Sequence, residues 1–330
     1  MVQRATLKKR NLPIRKVRSK LRGGQDANSA RTITAPSGNV ISFDVVLSAF
    51  DTLASLFAKR LPKETFAALM ASTAYGNNYV KPNPIPVLKQ WKLLISSHQP
   101  TAETFDISST FSGKQRQTCG LHVCLDVLTK KRGTDALEVC DYMIAHFCPL
   151  YARGTAIIFE DTTFYLNPAS AENNAAIYGD RSSKFRAKSC CAHVEHRMQS
   201  SLAVRNAGMG NISAIQSLNH VQFWKNNLRL IEPRTTDFWV YTDALIKRFP
   251  NILDKWTSHG HTNARARLYQ LIKRGCCVQS MTGSGEDVLP AVEAWAWERD
   301  VLRKKKPVLI DNSAFLPSHV GCYRKKKPRT

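Results

Sequence analysis

The sequence predicts an α+β protein with a largely antiparallel central sheet, flanking helices and basic, disordered arms at both termini. Three observations lead there. A run of short alternating segments separated by turn residues fills residues 118–200. Helical spacing recurs on either side of that run, so strands and helices are segregated and not interleaved as βαβ units. Blocks of Lys and Arg without acidic residues occupy the two ends, a pattern that does not fold by itself.

Along the chain, residues 1–22 carry nine Lys or Arg, among them Lys8, Lys9, Arg10, Arg15 and Lys16, and no acid. Residues 1–25 are therefore read as an arm. Ser42 to about Leu61 reads as an amphipathic helix, with Val45, Val46, Phe50, Leu53 and Phe57 at helical spacing. Tyr79–Pro86, with three prolines, is extended or a connector. Leu121–Val127 alternates strictly, placing Leu121, Val123, Leu125 and Val127 on one face and His122, Cys124 and Asp126 on the other. Asp135 and Glu138 open a helix that runs to about His146. Thr155–Phe159, Thr163–Leu166, Ala175–Tyr178 and Cys190–Met198 supply four more strands. After residue 200 the spacing turns helical, with a stripe of Leu218, Val221, Trp224 and Leu228. Thr262 caps a helix whose outer face is Arg265, Arg267, Lys273 and Arg274, followed by Gly275 at the position a C-terminal glycine takes. A last helix covers about 286–305. The expected division is an arm (1–25), an α+β core (26–205), a mainly helical C-terminal part of the same or a second domain (206–306) and a basic tail (307–330).

Charge narrows the function classes. With 48 Lys+Arg against 25 Asp+Glu, the 330-residue chain carries a formal +23. Such a field concentrates polyanions, and nucleic acid binds it by releasing counterions from its phosphates. No apolar run approaches the ~20 residues that cross a bilayer, and the basic N-terminus leads into no apolar signal core, so no membrane partner and an intracellular location are expected. The nine cysteines are odd in number and irregular in spacing, and no CxxC occurs. Reduced, buried thiols follow. A zinc site of Cys190, Cys191, His193 and His196 can be drawn, but adjacent ligands on one strand point to opposite faces.

Three polar features converge on the predicted sheet. Asp126 stands on the polar side of an apolar strand. His193, Glu195 and Arg197 share one face of the strand Cys190–Met198. Tyr178 ends a short strand and is followed by the polar loop Gly179–Lys184. Two carboxylates from neighbouring strands, Asp126 and Glu195, suit Mg²⁺ or Mn²⁺. A tyrosine phenolate attacks phosphorus and conserves the bond energy as a covalent link, and Lys184 or Arg197 steadies the charge that develops. Each residue also has a structural reading: Asp126 as a partner for arginine, Glu195 and Arg197 as a cross-strand ion pair, Tyr178 as an edge aromatic.

The order of these segments resembles a known family, the rolling-circle replication initiators of filamentous phages (the gene-two type) and the related plasmid replication initiation factors. The correspondence runs through Leu121–Val127 with Asp126, Thr163-Phe164-Tyr165-Leu166-Asn167, Ile177-Tyr178-Gly179-Asp180 with Lys184, and His193-Val194-Glu195-His196-Arg197; the stretch Thr262–Val278 is also similar. It departs from the family where His122 stands for an arginine and where no Tyr-x-x-Lys follows the strand. The resemblance implies a site-specific endonuclease and ligase of the bacterial host's cytoplasm. It would nick one strand of a double-stranded origin, remain joined to the 5′ end through tyrosine, and close the displaced single-stranded circle. Tyr178 is the first candidate nucleophile and Tyr165 the second, with His193 beside them in the site. A divalent metal is the implied cofactor; host helicase and polymerase are the implied partners, and the basic arms and the Arg265–Arg274 helix face grip phosphates. Two rival readings need no catalysis: a basic nucleic-acid-binding protein that packages or represses, and a structural ribonucleoprotein or virion component.

Overall fold

The computed structural model describes residues 31–35, 37–85, 90–111, 113–129, 134–146, 156–160, 163–166, 172–185, 189–231, 277–280 and 309–325. The N-terminal arm with Lys8, Lys9, Arg10, Arg15 and Lys16, the Thr262–Arg274 helix with Arg265, Arg267, Lys273 and Arg274, and the helix expected over 286–305 lie outside the described residues.

The described chain is α+β. Its strands are β1 (Arg31–Thr34), β2 (Val40–Phe57), β3 (Asn78–Pro82), β4 (Leu93–His98), β5 (Arg116–Thr129), β6 (Ala156–Glu160), β7 (Thr163–Leu166), β8 (Asn173–Tyr178), β9 (Cys191–Met198), β10 (Leu230–Ile231), β11 (Cys277–Ser280), β12 (Leu309–Ile310) and β13 (His319–Val320). Its helices are α1 (Lys63–Ala71), α2 (Ala102–Ser109), α3 (Thr134–His146), α4 (Ser201–Asn206), α5 (Ile212–Gln216) and α6 (His220–Asn227). One sheet runs in the order β11-β6-β7-β8-β9-β5-β2-β4-β3, with β1 and β13 also paired to β2. Its pairings are antiparallel except β11 with β6 and β13 with β2. Among the described residues no helix is long and apolar enough to cross a membrane.

The segment expected as a helix over Ser42–Leu61 is instead β2, the longest strand of the sheet. The reason is instructive. Two extra residues sit in β2 relative to β5: Asp44, between the pairs Phe43↔Thr129 and Val45↔Leu128, and Asp51, between Phe50↔Val123 and Thr52↔His122. Each bulge turns an apolar step of two into a step of three. Phe43, Val46, Phe50, Leu53 and Phe57, all buried on the covered side, are therefore spaced three, four, three and four apart. That is helical periodicity produced by a bulged strand.

The alternation of β5 is as expected. Leu121, Val123, Leu125 and Val127 join Val194 of β9 and Ile177 of β8 in one core, closed by Val139 and Met143 of α3, Val204 of α4, Ile215 of α5 and Trp224 of α6. Side chains of the 206–231 region thus pack into the same core as the sheet. Within α6 the buried residues are His220, Phe223 and Trp224, whereas Val221, placed by spacing on the inner stripe, is exposed. The helix is anchored by the indole of Trp224 donating to Ser48 Oγ on β2 (2.8 Å), and a tryptophan buried this deeply needs such a partner. The chain end is tied in as well. β13 pairs with Leu47 and Ser48, and Tyr323 is buried beside Thr101.

Candidate metal and phosphoryl-transfer site

The opposite face of the sheet carries polar side chains in register. On β5 and β9, Asp126 pairs with His193, Cys124 with Glu195 and His122 with Arg197; on β8, Tyr178 pairs with His193. All of them project to one side because directly opposed residues share a face.

His193 lies between two carboxylates. Its Nδ1 is 2.5 Å from Asp126 Oδ1 and its Nε2 is 3.0 Å from Glu195 Oε1. Burial opposes a charge on the ring, but Asp126 and Glu195 more than offset it and raise the imidazole to about 9. Both nitrogens are then protonated and both donate. Asp126 also accepts from Ser183 Oγ (2.5 Å), and Glu195 from Arg197 Nε (2.6 Å) and the Tyr178 hydroxyl (3.3 Å). The Tyr178 ring stacks on His193 with centroids 4.5 Å apart. Burial and the Glu195 carboxylate push its phenol far above the usual tyrosine range.

The two carboxylates singled out in the sequence, Asp126 and Glu195, are thus brought to one face but bridged by an imidazolium. A tighter group forms one step along. Asp51, His122 and Glu195 offer ligand atoms that all lie within 4.8 Å of one another. They come from three adjacent strands, β2, β5 and β9. Asp51 reaches this position because it is the bulge residue of β2, and bulges beside sites commonly re-aim a side chain in this way. Burial against Glu195 would raise Asp51, but the ammonium of Lys184 (Nζ–Oδ1 2.8 Å) and His193 hold its carboxyl below its ordinary value. Gln99 Nε2 donates to the same oxygen (3.0 Å). Glu195 is held well below the carboxylate range, against its burial, by His193, Arg197 and His122. Burial lowers His122 to about 4 and leaves it neutral near pH 7, the form in which an imidazole ligates. Two ionised carboxylates and a neutral imidazole are a donor set that fits Mg²⁺ or Mn²⁺.

Of the other expected site residues, Lys184 and Arg197 are each bound to one carboxylate of this group. Tyr165 on β7 is half-buried, with the Arg197 guanidinium 5.2 Å from its ring centroid. His193 and His196 face opposite sides of the sheet, His196 against Phe223 under α6, so the Cys190, Cys191, His193 and His196 set does not assemble. Three participants escaped the sequence reading. Asp51 was hidden by the helical spacing of β2. His122 is placed with Asp126 on the polar face of its strand but is not singled out as a ligand, because the motif it interrupts carries an arginine there. Tyr323, whose hydroxyl is 3.4 Å from Asp51 Oδ1, left no local signal.

The loop that carries Lys184 is fixed at its start. Gly179 passes so close to α3 that an added Cβ would lie 2.8 Å from the Ala136 carbonyl oxygen and the Cys140 sulfur. Only glycine permits that approach.

No protein-family model matches the chain, and no curated protein matches it. Among solved structures it is similar to the rolling circle replication initiator protein from Geobacillus stearothermophilus, at 12% sequence identity and a TM-score of 0.34, over 58% of this chain and 89% of that one.

Proposed function

We propose that the protein is a metal-dependent DNA-nicking enzyme that initiates replication by the rolling-circle route, cleaving one strand through a tyrosine and later rejoining it. The observation that carries this reading is the buried Asp51–His122–Glu195 group, with phenol hydroxyls at hydrogen-bond distance from both of its carboxylates. A divalent ion bound there would polarise a phosphoryl oxygen and offset charge on the departing oxygen.

The chain's own residues supply the rest. Asp51, Glu195 and Asp126 are balanced by Lys184, Arg197 and protonated His193, so the cluster is neutral by itself. A divalent ion adds two positive charges, which a DNA phosphate helps to offset. The site is therefore suited to taking up metal and phosphodiester together. Lys184 and Arg197 flank the group, placed to donate to the phosphate oxygens as charge builds. The +23 net charge brings the polyanion to the surface.

The test uses supercoiled DNA carrying the protein's own gene, incubated with the full chain and Mn²⁺ or Mg²⁺. Relaxed circles and protein shifted by covalent DNA on a denaturing gel are expected, and Asp51→Ala or Glu195→Gln should abolish both. DNA binding without any nick or adduct would leave the protein a non-catalytic basic binder.

A further inference from the structure

We propose that Tyr323, carried on the C-terminal strap, is the hydroxyl that attacks the phosphodiester. The inference rests on the nicking reading above and sharpens it, because the sequence pointed to Tyr178 and Tyr165 instead.

The first argument is proximity. Tyr178 and Tyr323 contact the two carboxylates of the metal-ligand group from opposite sides, Glu195 Oε1 at 3.3 Å and Asp51 Oδ1 at 3.4 Å. Tyr165 makes its contact with Arg197.

The second is the freedom to meet a phosphorus atom that arrives from solvent. Tyr178 belongs to a strand flanked by β7 and β9, it stacks on His193, and the Arg181 guanidinium lies 5.3 Å from its ring centroid. Moving that ring means opening the middle of the sheet. Tyr323, as buried as Tyr178, follows a two-residue strand paired on β2 and is held by an isolated bridge to Thr101, by stacking on Phe185 with centroids 4.2 Å apart, and by its hydroxyl's contacts with Asp51 and with Cys124 Sγ (3.7 Å). It can swing from its slot without breaking a ladder of the central sheet.

The third is charge. Tyr323 is followed at once by Arg324-Lys325-Lys326-Lys327-Pro328-Arg329. The proposed nucleophile is therefore followed in sequence by a run of cations that attracts a polyanion. A nucleophile needs the phosphate held within about 3–3.5 Å, and basic residues next to it in sequence help to position it there.

In the step itself the Tyr323 Oη–P bond forms as the P–O3′ bond breaks. The phenol proton leaves to solvent and the 3′ oxygen takes a proton from water, so protons balance without titrating a residue of the metal-ligand group. The reverse step regenerates the phosphodiester and the free tyrosine, so the energy of the broken bond is conserved and no co-reactant is consumed.

The experiment is peptide mapping of the covalent product. The full-length protein is reacted with supercoiled DNA bearing its own gene and Mn²⁺, denatured, and digested with nuclease and trypsin. Mass spectrometry is expected to find the nucleotide remnant on the tryptic peptide ending at Arg324. Tyr323→Phe, which keeps the ring on Phe185, should keep its thermal midpoint and Mn²⁺ binding while adduct yield falls on the order of 10³-fold or more. Tyr79→Phe, on an exposed residue of β3, is the unaltered control. A remnant mapped to Tyr178, Tyr165 or any other residue, or an adduct that persists in Tyr323→Phe, overturns this assignment and leaves the nicking function standing. No adduct in the unaltered protein removes the assignment together with the function.

Discussion

The two faces of the central sheet are built from the same strands and follow opposite rules. On the covered face Leu121, Val123, Leu125 and Val127 meet helices, and its histidines are treated as misfits: burial lowers both His196 and His220 to about 4. On the polar face His193 is as deeply buried, yet two carboxylates raise it to about 9. The difference teaches where stability and chemistry are separated in this protein. One face is apolar and gains by excluding charge. The other concentrates three carboxylates and three cations in a space that hydrophobic side chains would hold more cheaply, the arrangement expected where ionisable groups are kept for a task.

The largest break in that comparison comes from the covered face. Trp224→Ala removes a fully buried indole and its bond to Ser48, and should cost about 3–5 kcal/mol in urea unfolding. Next in size is the pH profile, which separates the faces by sign. His196 and His220 have folded pKa values below the unfolded ~6.5, so the unfolded chain binds more protons and stability falls as pH drops from about 6.5 towards 4. His193 has a folded pKa above it, so its contribution is complete below about 6.5 and is lost as pH rises through about 9. The slope is about 1.4 kcal/mol per pH unit for each proton by which the two states differ. Denaturant midpoints from pH 4 to 10 check this, with His193→Gln removing the alkaline decline and His196→Gln easing the acid one. On the polar face alone, Glu195→Gln leaves His193 and Arg197 without their shared carboxylate. It should cost about 1–3 kcal/mol without metal and weaken Mn²⁺ binding by calorimetry about tenfold or more. A merely structural ion-pair cluster would show the first effect and not the second. The smallest effect belongs to neither face. Lys325 and Glu103 form a bridge with both side chains largely exposed, so Glu103→Gln should move the unfolding free energy by less than about 0.5 kcal/mol.

Much of this is legible in the sequence itself. The alternation of β5 puts His122 with Asp126 on one face, and the His193–Arg197 run puts Glu195 with Arg197 on one face, because a period of two within a strand needs no tertiary information; that the two faces coincide is set by the β5–β9 register. The strands β6 to β9 and the helix α3 were bounded by ordinary turn and capping residues. Other parts were not readable, for physical reasons. The bulges at Asp44 and Asp51 are set by what β5 offers across the ladder, so β2 alone carries a helical period. Val221 looked inward by spacing, but α6 is oriented by the indole bond of Trp224 to a serine that is distant in sequence. Tyr323 reaches Asp51 only because a strap from the chain end pairs with β2, a contact across 272 residues that no local pattern encodes.

The Asp51 bulge has one further consequence. Because Phe50 and Thr52 already oppose consecutive residues of β5, removal of this single residue would leave an unbroken ladder, with Phe50, Leu53 and Phe57 still on the oily side and Thr52 still on the polar one. What would vanish is one carboxylate. The extra residue is therefore dispensable to the architecture and indispensable to the cluster: a chain shortened by one at this point should fold and yet lose its grip on Mn²⁺.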